Sequence, residues 1–186
     1  MYYFLAFFPK IDFTQINVLR RKYDPNFAFI DPHVAVFFPV DASIGEGNLI
    51  SHIEKSIEET SSFTLTFKGL KKSWDHYLYL TVDDGKNEVI MLHDTLYSGA
   101  LSPYLLKNVP YIPHLTLGFF ADRQAKFDMS DLDQVFFDKK KFDLALKEAT
   151  DMNFHFQTTL DNFTLISRED KTSPAVIVKE FLFSKR

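Results

Sequence analysis

The sequence has 186 residues, of which 46% are hydrophobic and 21 are phenylalanine, and its formal charge is −4. A chain of this length can bury a full apolar core, so the composition indicates a packed globular protein and excludes a disordered one. The charge gives no general attraction to long nucleic acid or to an anionic membrane, and the lack of cysteine excludes disulfides and thiolate chemistry and fits a cytoplasmic location.

The beginning of the chain predicts a strand, a helix and a second strand. Residues 2–8 are apolar without a basic leader, which favours a strand over a signal peptide. A helix follows, capped by Asp12 and ending near Tyr23. The second strand, His33–Phe38, is expected to stop at Pro39, because proline has no N–H to donate to a sheet.

The rest of the chain alternates predicted helices with predicted strands. Helices are expected at 44–59, 87–97 and 132–149, the last one weakened in its middle by three consecutive lysines at 139–141. Strands are expected at 62–70, 76–82, 114–120, 153–160, 162–168 and 175–184, with an irregular segment at 101–112. This order of elements indicates an α+β fold built on antiparallel sheets, and we expect one domain over residues 1–186.

Two similar motifs in this sequence each contain a histidine. Residues 113–118 read Pro-His-Leu-Thr-Leu-Gly, and residues 32–37 read Pro-His-Val-Ala-Val-Phe. Side chains alternate between the two faces of a strand, so His114 and Thr116 share one face and His33 occupies the corresponding face of the earlier copy. The copies are about 80 residues apart, a spacing typical of equivalent strands in two halves of one fold.

Two histidines facing each other across a cleft are suited to displacement at phosphorus. One group must take a proton from the attacking water or hydroxyl, and another must donate one to the leaving oxygen; imidazoles with a pKa of about 6.5 can do both near neutral pH. We therefore assign His33 and His114 as the acid–base pair, with either as the base. Thr116 would donate a hydrogen bond to a phosphate oxygen, but Ala35 cannot, so a backbone amide, a water or Tyr111 is needed to replace the second donor.

The remaining polar residues form no motif for a metal or a cofactor, and we expect neither. The other histidines have no partner at metal-ligand spacing and are interpreted as structural or solvated: His52, His76, His93 and His155. No glycine-rich phosphate loop is present. The lysine runs are most simply solvated, although Lys68, Lys71 or Lys72 at a cleft edge would attract phosphate.

The paired motifs resemble those of the 2H phosphoesterase superfamily, which includes the bacterial RNA 2',3'-cyclic phosphodiesterases also called 2'-5' RNA ligases. That superfamily has two His-x-Thr-x tetrads on strands; residues 114–117 match fully, and residues 33–36 match except at the hydroxyl position. The resemblance extends over nearly the whole chain. It implies a bilobed fold with a pseudo-twofold axis and two antiparallel sheets around a central cleft. It also implies hydrolysis or reverse ligation at 2'-linked phosphodiesters without a metal.

Three hypotheses of function follow, in order of preference. The first is a metal-independent phosphodiesterase acting on a 2',3'-cyclic phosphate or a 2'-5' linkage in RNA ends or small nucleotides, with no membrane or long nucleic acid as partner. The second is a related protein that binds RNA or a nucleotide but has lost catalysis, as Ala35 would permit. The third is a structural or interaction protein without a ligand. The sequence does not specify the oligomeric state.

Overall fold

The computed structural model describes residues 1–121, 137–170 and 173–184. Within these ranges the strands are β1 (Tyr2–Phe7), β2 (Val34–Asp41), β3 (Phe63–Lys72), β4 (Tyr77–Val82), β5 (His114–Phe119), β6 (Phe156–Leu160), β7 (Asn162–Arg168) and β8 (Val176–Leu182). The α-helices are α1 (Thr14–Tyr23), α2 (Glu46–Ile57), α3 (Lys86–Leu96) and α4 (Lys139–Asp151). Short 3-10 turns follow β2 and α3, at Ala42–Ile44 and Gly99–Tyr104. No helix in the described ranges is long and apolar enough to cross a membrane.

The strands form two four-stranded antiparallel sheets with the orders β2-β1-β7-β8 and β5-β4-β3-β6. The predicted α+β class and the predicted order of elements are confirmed. Each of the two strands associated with a histidine motif, β2 and β5, lies at the edge of its sheet. The first sheet thus contributes one histidine motif and the second sheet the other.

Apolar side chains at helical spacing attach the helices to the sheets. In α1 the buried positions include Ile16, Leu19 and Tyr23, and this helix packs on β5 of the second sheet. In α3, Val89 and Leu96 are buried, and this helix packs on β2 of the first sheet. Each helix therefore follows a strand of one sheet and packs on the edge strand of the other sheet.

The prediction that the second strand stops at Pro39 is wrong. Strand β2 continues to Asp41, and its register against β1 shifts between the pairs Leu5–Phe37 and Tyr3–Val40, so Pro39 lies in an irregular part of the ladder. An edge strand with a bulge tolerates a residue without an N–H. The sequence alone did not reveal that this strand would be at an edge.

The lysine run was also misinterpreted. Lys139–Lys141 form the first turn of α4 and do not interrupt its middle, and the Asp138 carboxylate accepts a hydrogen bond from the Lys141 N–H at 2.9 Å. The earlier part of that predicted helix, residues 132–136, lies outside the described residues. The N-cap of α1 is Phe13 and not the predicted Asp12, although Asp12 Oδ1 accepts a hydrogen bond from the Thr14 N–H at 2.9 Å, at the first residue of the helix.

Gly118 in β5 allows α1 to approach this strand closely. A Cβ atom at this position would lie 2.6 Å from the Tyr23 Cβ and 2.9 Å from the Phe120 Cζ. Such distances are too short for real contacts, so any larger residue would push the helix and the strand apart. The close approach of α1 therefore depends on a glycine at this position.

We predict that Gly118→Ala lowers the free energy of unfolding by about 1–3 kcal/mol, because the added methyl group overpacks the contact with Tyr23. Urea denaturation measures this change. The matched control is Gly47→Ala in α2, where nothing lies within 4 Å of the added Cβ and where we expect a gain of about 0.5–1 kcal/mol. A Gly118→Ala protein as stable as the wild type would contradict the prediction.

Candidate active site

The two predicted histidines line one cavity of about 350 Å³, which we call the histidine cavity. His33 immediately precedes β2, and His114 is the first residue of β5. Ala35 and Thr116, two residues further along, line the same cavity, as strand alternation requires. The structure therefore brings the predicted site residues together from two different sheets, and their role in catalysis stays a prediction.

Both imidazoles are held in the same way by the backbone. The His33 Nδ1 lies 2.8 Å from the Asp31 carbonyl oxygen, and the His114 Nδ1 lies 2.5 Å from the Ile112 carbonyl oxygen. A carbonyl oxygen only accepts hydrogen bonds, so each Nδ1 carries the hydrogen and donates it. In each ring this leaves Nε2 as the atom available for proton transfer.

Burial lowers the pKa of His114 to about 4, since the charged imidazolium is poorly solvated there. The Ile112 carbonyl opposes this shift, and a charge on His33 would lower the pKa of His114 further. The Tyr79 ring stacks on the His114 ring with 3.4 Å between centroids and an interplanar angle of 19°. With this pKa the His114 imidazole is neutral at pH 7 in the ligand-free site.

Charged side chains surround His33. The Arg20 Nε donates a hydrogen bond to Asp24 Oδ2 at 2.8 Å, and this buried pair lines the histidine cavity together with Arg168. Burial is the main reason that the pKa of His33 is lowered; the Arg20 and Arg168 guanidinium groups lower it further, whereas the Asp31 carbonyl and Asp24 raise it. The Arg20 and Arg168 guanidinium groups attract an anion to this cavity, while the Asp24 carboxylate, which is paired with Arg20, partly offsets their charge.

A second cavity of about 310 Å³ adjoins the first, and we call it the aromatic chamber. Its ring-bearing side chains are Phe38, Trp74, Tyr79, Tyr104, Tyr111 and His114. Tyr79 and His114 also line the histidine cavity, so they stand where the two cavities meet. The sequence did not reveal this chamber, because the prediction of an irregular segment at 101–112 says nothing about which side chains it brings together. A tryptophan in the polar turn before β4 was the signal that could have drawn attention to it.

Tyr111 does not supply the hydroxyl that Ala35 lacks, which is a correction to one of the alternatives considered above. The Tyr111 hydroxyl donates its hydrogen bond to the Ala35 carbonyl at 2.8 Å, and its ring stacks on His93 with 3.9 Å between centroids. The Tyr97 hydroxyl accepts a hydrogen bond from the Phe38 N–H at 2.9 Å. The two phenols therefore make hydrogen bonds to backbone groups of the edge strand β2.

The other candidate cations and histidines lie away from the histidine cavity. The described residues lining it include no lysine, and the Lys72 Nζ lies 3.6 Å from the centroid of the Phe137 ring. The His52 Nε2 lies 2.7 Å from the Leu96 carbonyl oxygen, and His76 stacks on Phe137. No three His, Asp or Glu side chains within the described ranges are grouped as metal ligands would be.

A family model for the 2'-5' RNA ligase superfamily matches residues 8–172. The chain belongs to this superfamily. A Bacillus licheniformis relative named "Putative phosphoesterase" is 28% identical over 166 residues, which cover 87% of this chain and 92% of the relative. A Geobacillus relative of the same name is 27% identical over 173 residues, which cover 89% of this chain and 87% of the relative. The resemblance to 2H phosphoesterases stated from the paired tetrads is confirmed at the level of the family.

Solved structures share the fold of this superfamily member. Escherichia coli LigT in complex with 3'-AMP superposes with a TM-score of 0.62 at 19% identity, covering 98% of both chains. LigT has also been crystallised with ATP and with NADP+. The bilobed, two-sheet architecture expected from the resemblance is confirmed by this similarity.

The low pKa of His114 makes the free energy of unfolding depend on pH. The pKa is about 4 in the folded protein and about 6.5 in the unfolded chain, so the unfolded chain binds the proton first as the pH falls. The free energy of unfolding that comes from keeping His114 neutral is fully present above about pH 6.5, and it is lost progressively as the pH falls towards about 4. Between pH 7 and pH 5, urea denaturation should show that His114→Gln loses about 2 kcal/mol less stability than the wild type.

The control for this measurement is His155→Gln, which changes an exposed histidine just before β6. It should lose as much stability between the two pH values as the wild type. If His114→Gln also showed the wild-type loss, the imidazole of His114 would not be held neutral by burial.

Proposed function

We propose that the protein is a metal-independent phosphodiesterase of the 2'-5' RNA ligase superfamily, acting on 2',3'-cyclic phosphates or 2'-5' linkages in RNA ends or small nucleotides. The observation that carries this proposal is that His33 and His114 line one cavity with Nδ1 of each ring held by a backbone carbonyl. Two nitrogen atoms are then available around one anion. The lack of cysteine favours a cytoplasmic location for this activity.

In the proposed hydrolysis, the pair carries a single proton when substrate is bound. The negative phosphate raises the pKa of the imidazoles, while repulsion between them disfavours protonation of both. Water attacks phosphorus and passes a proton to Nε2 of the neutral histidine. The new P–O bond forms as the bond to the 2'- or 3'-oxygen breaks, and the protonated histidine donates its proton to that leaving oxygen. The direction of attack decides whether His33 or His114 is the base.

Thr116 has a separate role in this proposal. Its hydroxyl would donate a hydrogen bond to a non-bridging phosphate oxygen, where negative charge develops in the transition state. The guanidinium groups of Arg20 and Arg168 add positive potential on the His33 side, which the Asp24 carboxylate paired with Arg20 partly offsets. The proposed nucleotide class of ligand is supported by the complexes of LigT with 3'-AMP, ATP and NADP+.

A second function is favoured by Ala35, which lines the cavity where the equivalent threonine would be. Loss of one oxyanion donor typically lowers a rate by about 10²–10³. A protein that binds an RNA end or a nucleotide but turns it over poorly is therefore the alternative. Retained binding with negligible turnover distinguishes it from the enzyme.

We predict that the wild type hydrolyses adenosine 2',3'-cyclic phosphate in the presence of a chelator. His33→Ala and His114→Ala should each lower kcat by at least about 10²-fold, because a positioned acid or base contributes about 10²–10⁴. Product formation is followed by chromatography, and circular dichroism verifies that the variants are folded.

The matched control is His155→Ala, which removes an exposed histidine outside the cavity and should keep the wild-type rate. Activity that the chelator abolishes would contradict the metal-independent mechanism. Full activity in either His33→Ala or His114→Ala would contradict the acid–base assignment.

Restoring the missing hydroxyl provides an independent prediction. Ala35→Thr should raise kcat by about tenfold or more, because a second donor then faces the non-bridging phosphate oxygens. Thr116→Ala should lower kcat by about 10²-fold for the same reason. Steady-state kinetics with the cyclic nucleotide measure both changes. An Ala35→Thr protein that is neither faster nor better at binding phosphate would show that the missing donor does not limit the reaction.

A further inference from the structure

The strand pairings of the second sheet extend the surface of the histidine cavity outward. Thr116 of β5 pairs with Tyr79 of β4, and Tyr79 pairs with Lys71 of β3. Side chains directly opposite each other in an antiparallel pair point to the same face, so Lys71 lies on the face that lines the cavity. Neighbouring strands are about 4.8 Å apart, which places Lys71 about 10 Å from Thr116 along the sheet. Lys71 is therefore next to the cavity but does not line it.

Lys68 lies on the same face as Lys71. Phe67 pairs with Val82, so the next residue of β3 comes opposite Thr81. Thr81 in turn pairs with His114. The Thr81 hydroxyl donates a hydrogen bond to the Lys68 carbonyl at 2.9 Å, which agrees with this pairing. Each of the two rows of side chains that begin at His114 and Thr116 thus reaches a lysine on β3.

We use the name lysine face for the exposed side chains on this part of the sheet: Thr64, Lys68, Lys71, Gln157 and Thr159. Strands β3, β4 and β6 contain no aspartate or glutamate. The nearby carboxylates of Asp75, Asp83 and Asp84 belong to the turns at the ends of β4. Among the described residues, neither lysine of this face forms an ion pair. In a chain with a formal charge of −4, the lysine face is therefore a local region of positive potential.

The corresponding face of the first sheet has a different chemistry. The row of side chains that begins at Ala35 passes through Ala6 and Thr164 and ends at Glu180 on the edge strand β8. Leu182, two residues further along that strand, is 76% exposed. A carboxylate and an apolar side chain at this edge disfavour a polyanion. The two halves of the molecule are thus distinguished by charge, and the second sheet is the one that attracts a chain of phosphates.

We propose that the lysine face binds a short single strand of RNA whose 3' end, a 2',3'-cyclic phosphate, lies between His33 and His114, an inference that rests on the proposed function. The strand crosses β4 and β3 towards β6, and the phosphates of its preceding nucleotides contact Lys71 and Lys68. The ligand is RNA because a 2',3'-cyclic phosphate requires a 2'-hydroxyl. The protein therefore acts on RNA ends in preference to free nucleotides.

A binding test uses a fluorescently labelled adenosine hexanucleotide with a 3'-phosphate, whose anisotropy reports binding without turnover. For a single strand, each phosphate contact contributes about 0.7 to the slope of log K against log salt. The double variant Lys68→Gln/Lys71→Gln should lower this slope by about 1.4, so its loss of affinity should be about sevenfold greater at 50 mM salt than at 200 mM. Both side chains are exposed, so the variant should fold, which circular dichroism verifies.

The matched control is Lys72→Gln. Lys72 is the next residue of β3 and projects to the opposite face, where its Nζ lies 3.6 Å from the centroid of the Phe137 ring. This variant should keep the wild-type slope. An unchanged slope in the double variant, or an equal decrease in Lys72→Gln, would overturn the proposal. Equal affinity of the wild type for an acidic peptide of the same charge would also overturn it.

A kinetic test compares adenosine 2',3'-cyclic phosphate with an adenosine hexanucleotide that ends in the same cyclic phosphate. At 50 mM salt the double variant should raise KM for the hexanucleotide by at least about sevenfold. It should leave KM for the mononucleotide unchanged, because Lys68 and Lys71 do not line the histidine cavity.

The outcomes separate this inference from the proposed function. If neither substrate is hydrolysed but binding of the hexanucleotide depends on Lys68 and Lys71, the proposed function fails and the lysine face still binds RNA. If both substrates are hydrolysed and the double variant changes their KM values equally or not at all, the lysine face does not bind RNA and the proposed function stands.

Discussion

The site depends on two helices, each of which follows a strand of one sheet and packs on the other sheet. Helix α1 follows β1 of the first sheet but packs on β5 of the second, and α3 follows β4 of the second sheet but packs on β2 of the first. Each edge strand is therefore held by an element from the opposite half. These contacts hold the two edge strands whose ends carry His33 and His114, the histidines that line the cavity.

Burial and charge act together in this cavity. His33 and His114 are held by carbonyls that support the protonated ring, yet burial outweighs this support and keeps the pKa of both low. A proton therefore enters the ligand-free site at a cost in free energy, and a bound anion offsets that cost. Protonation of the two imidazoles and binding of an anion are consequently linked, so a proton enters the cavity more readily when an anion is bound.

The sequence was most informative where local rules decide the structure. Alternation along a strand was enough to place His114 with Thr116, and hydrophobic periodicity was enough for the order of elements. It failed where tertiary context decides. Pro39 ended the predicted strand because nothing local marks a strand as an edge strand. The phenol of Tyr111 meets Ala35 across a long separation in sequence. The aromatic chamber combines side chains from three distant segments, which no local pattern connects.

The hydrogen bonds that the Tyr97 and Tyr111 phenols make to the backbone of β2 have a consequence for the behaviour of the protein in a crowded cell. An open edge strand normally offers N–H and C=O groups to which another chain can add, and this is a common route to aggregation. In β2 the Phe38 N–H and the Ala35 C=O are already bonded to Tyr97 and Tyr111, and Pro39 has no N–H to offer. The edge of β2 that borders the cavity is thus a poor template for intermolecular β-sheet.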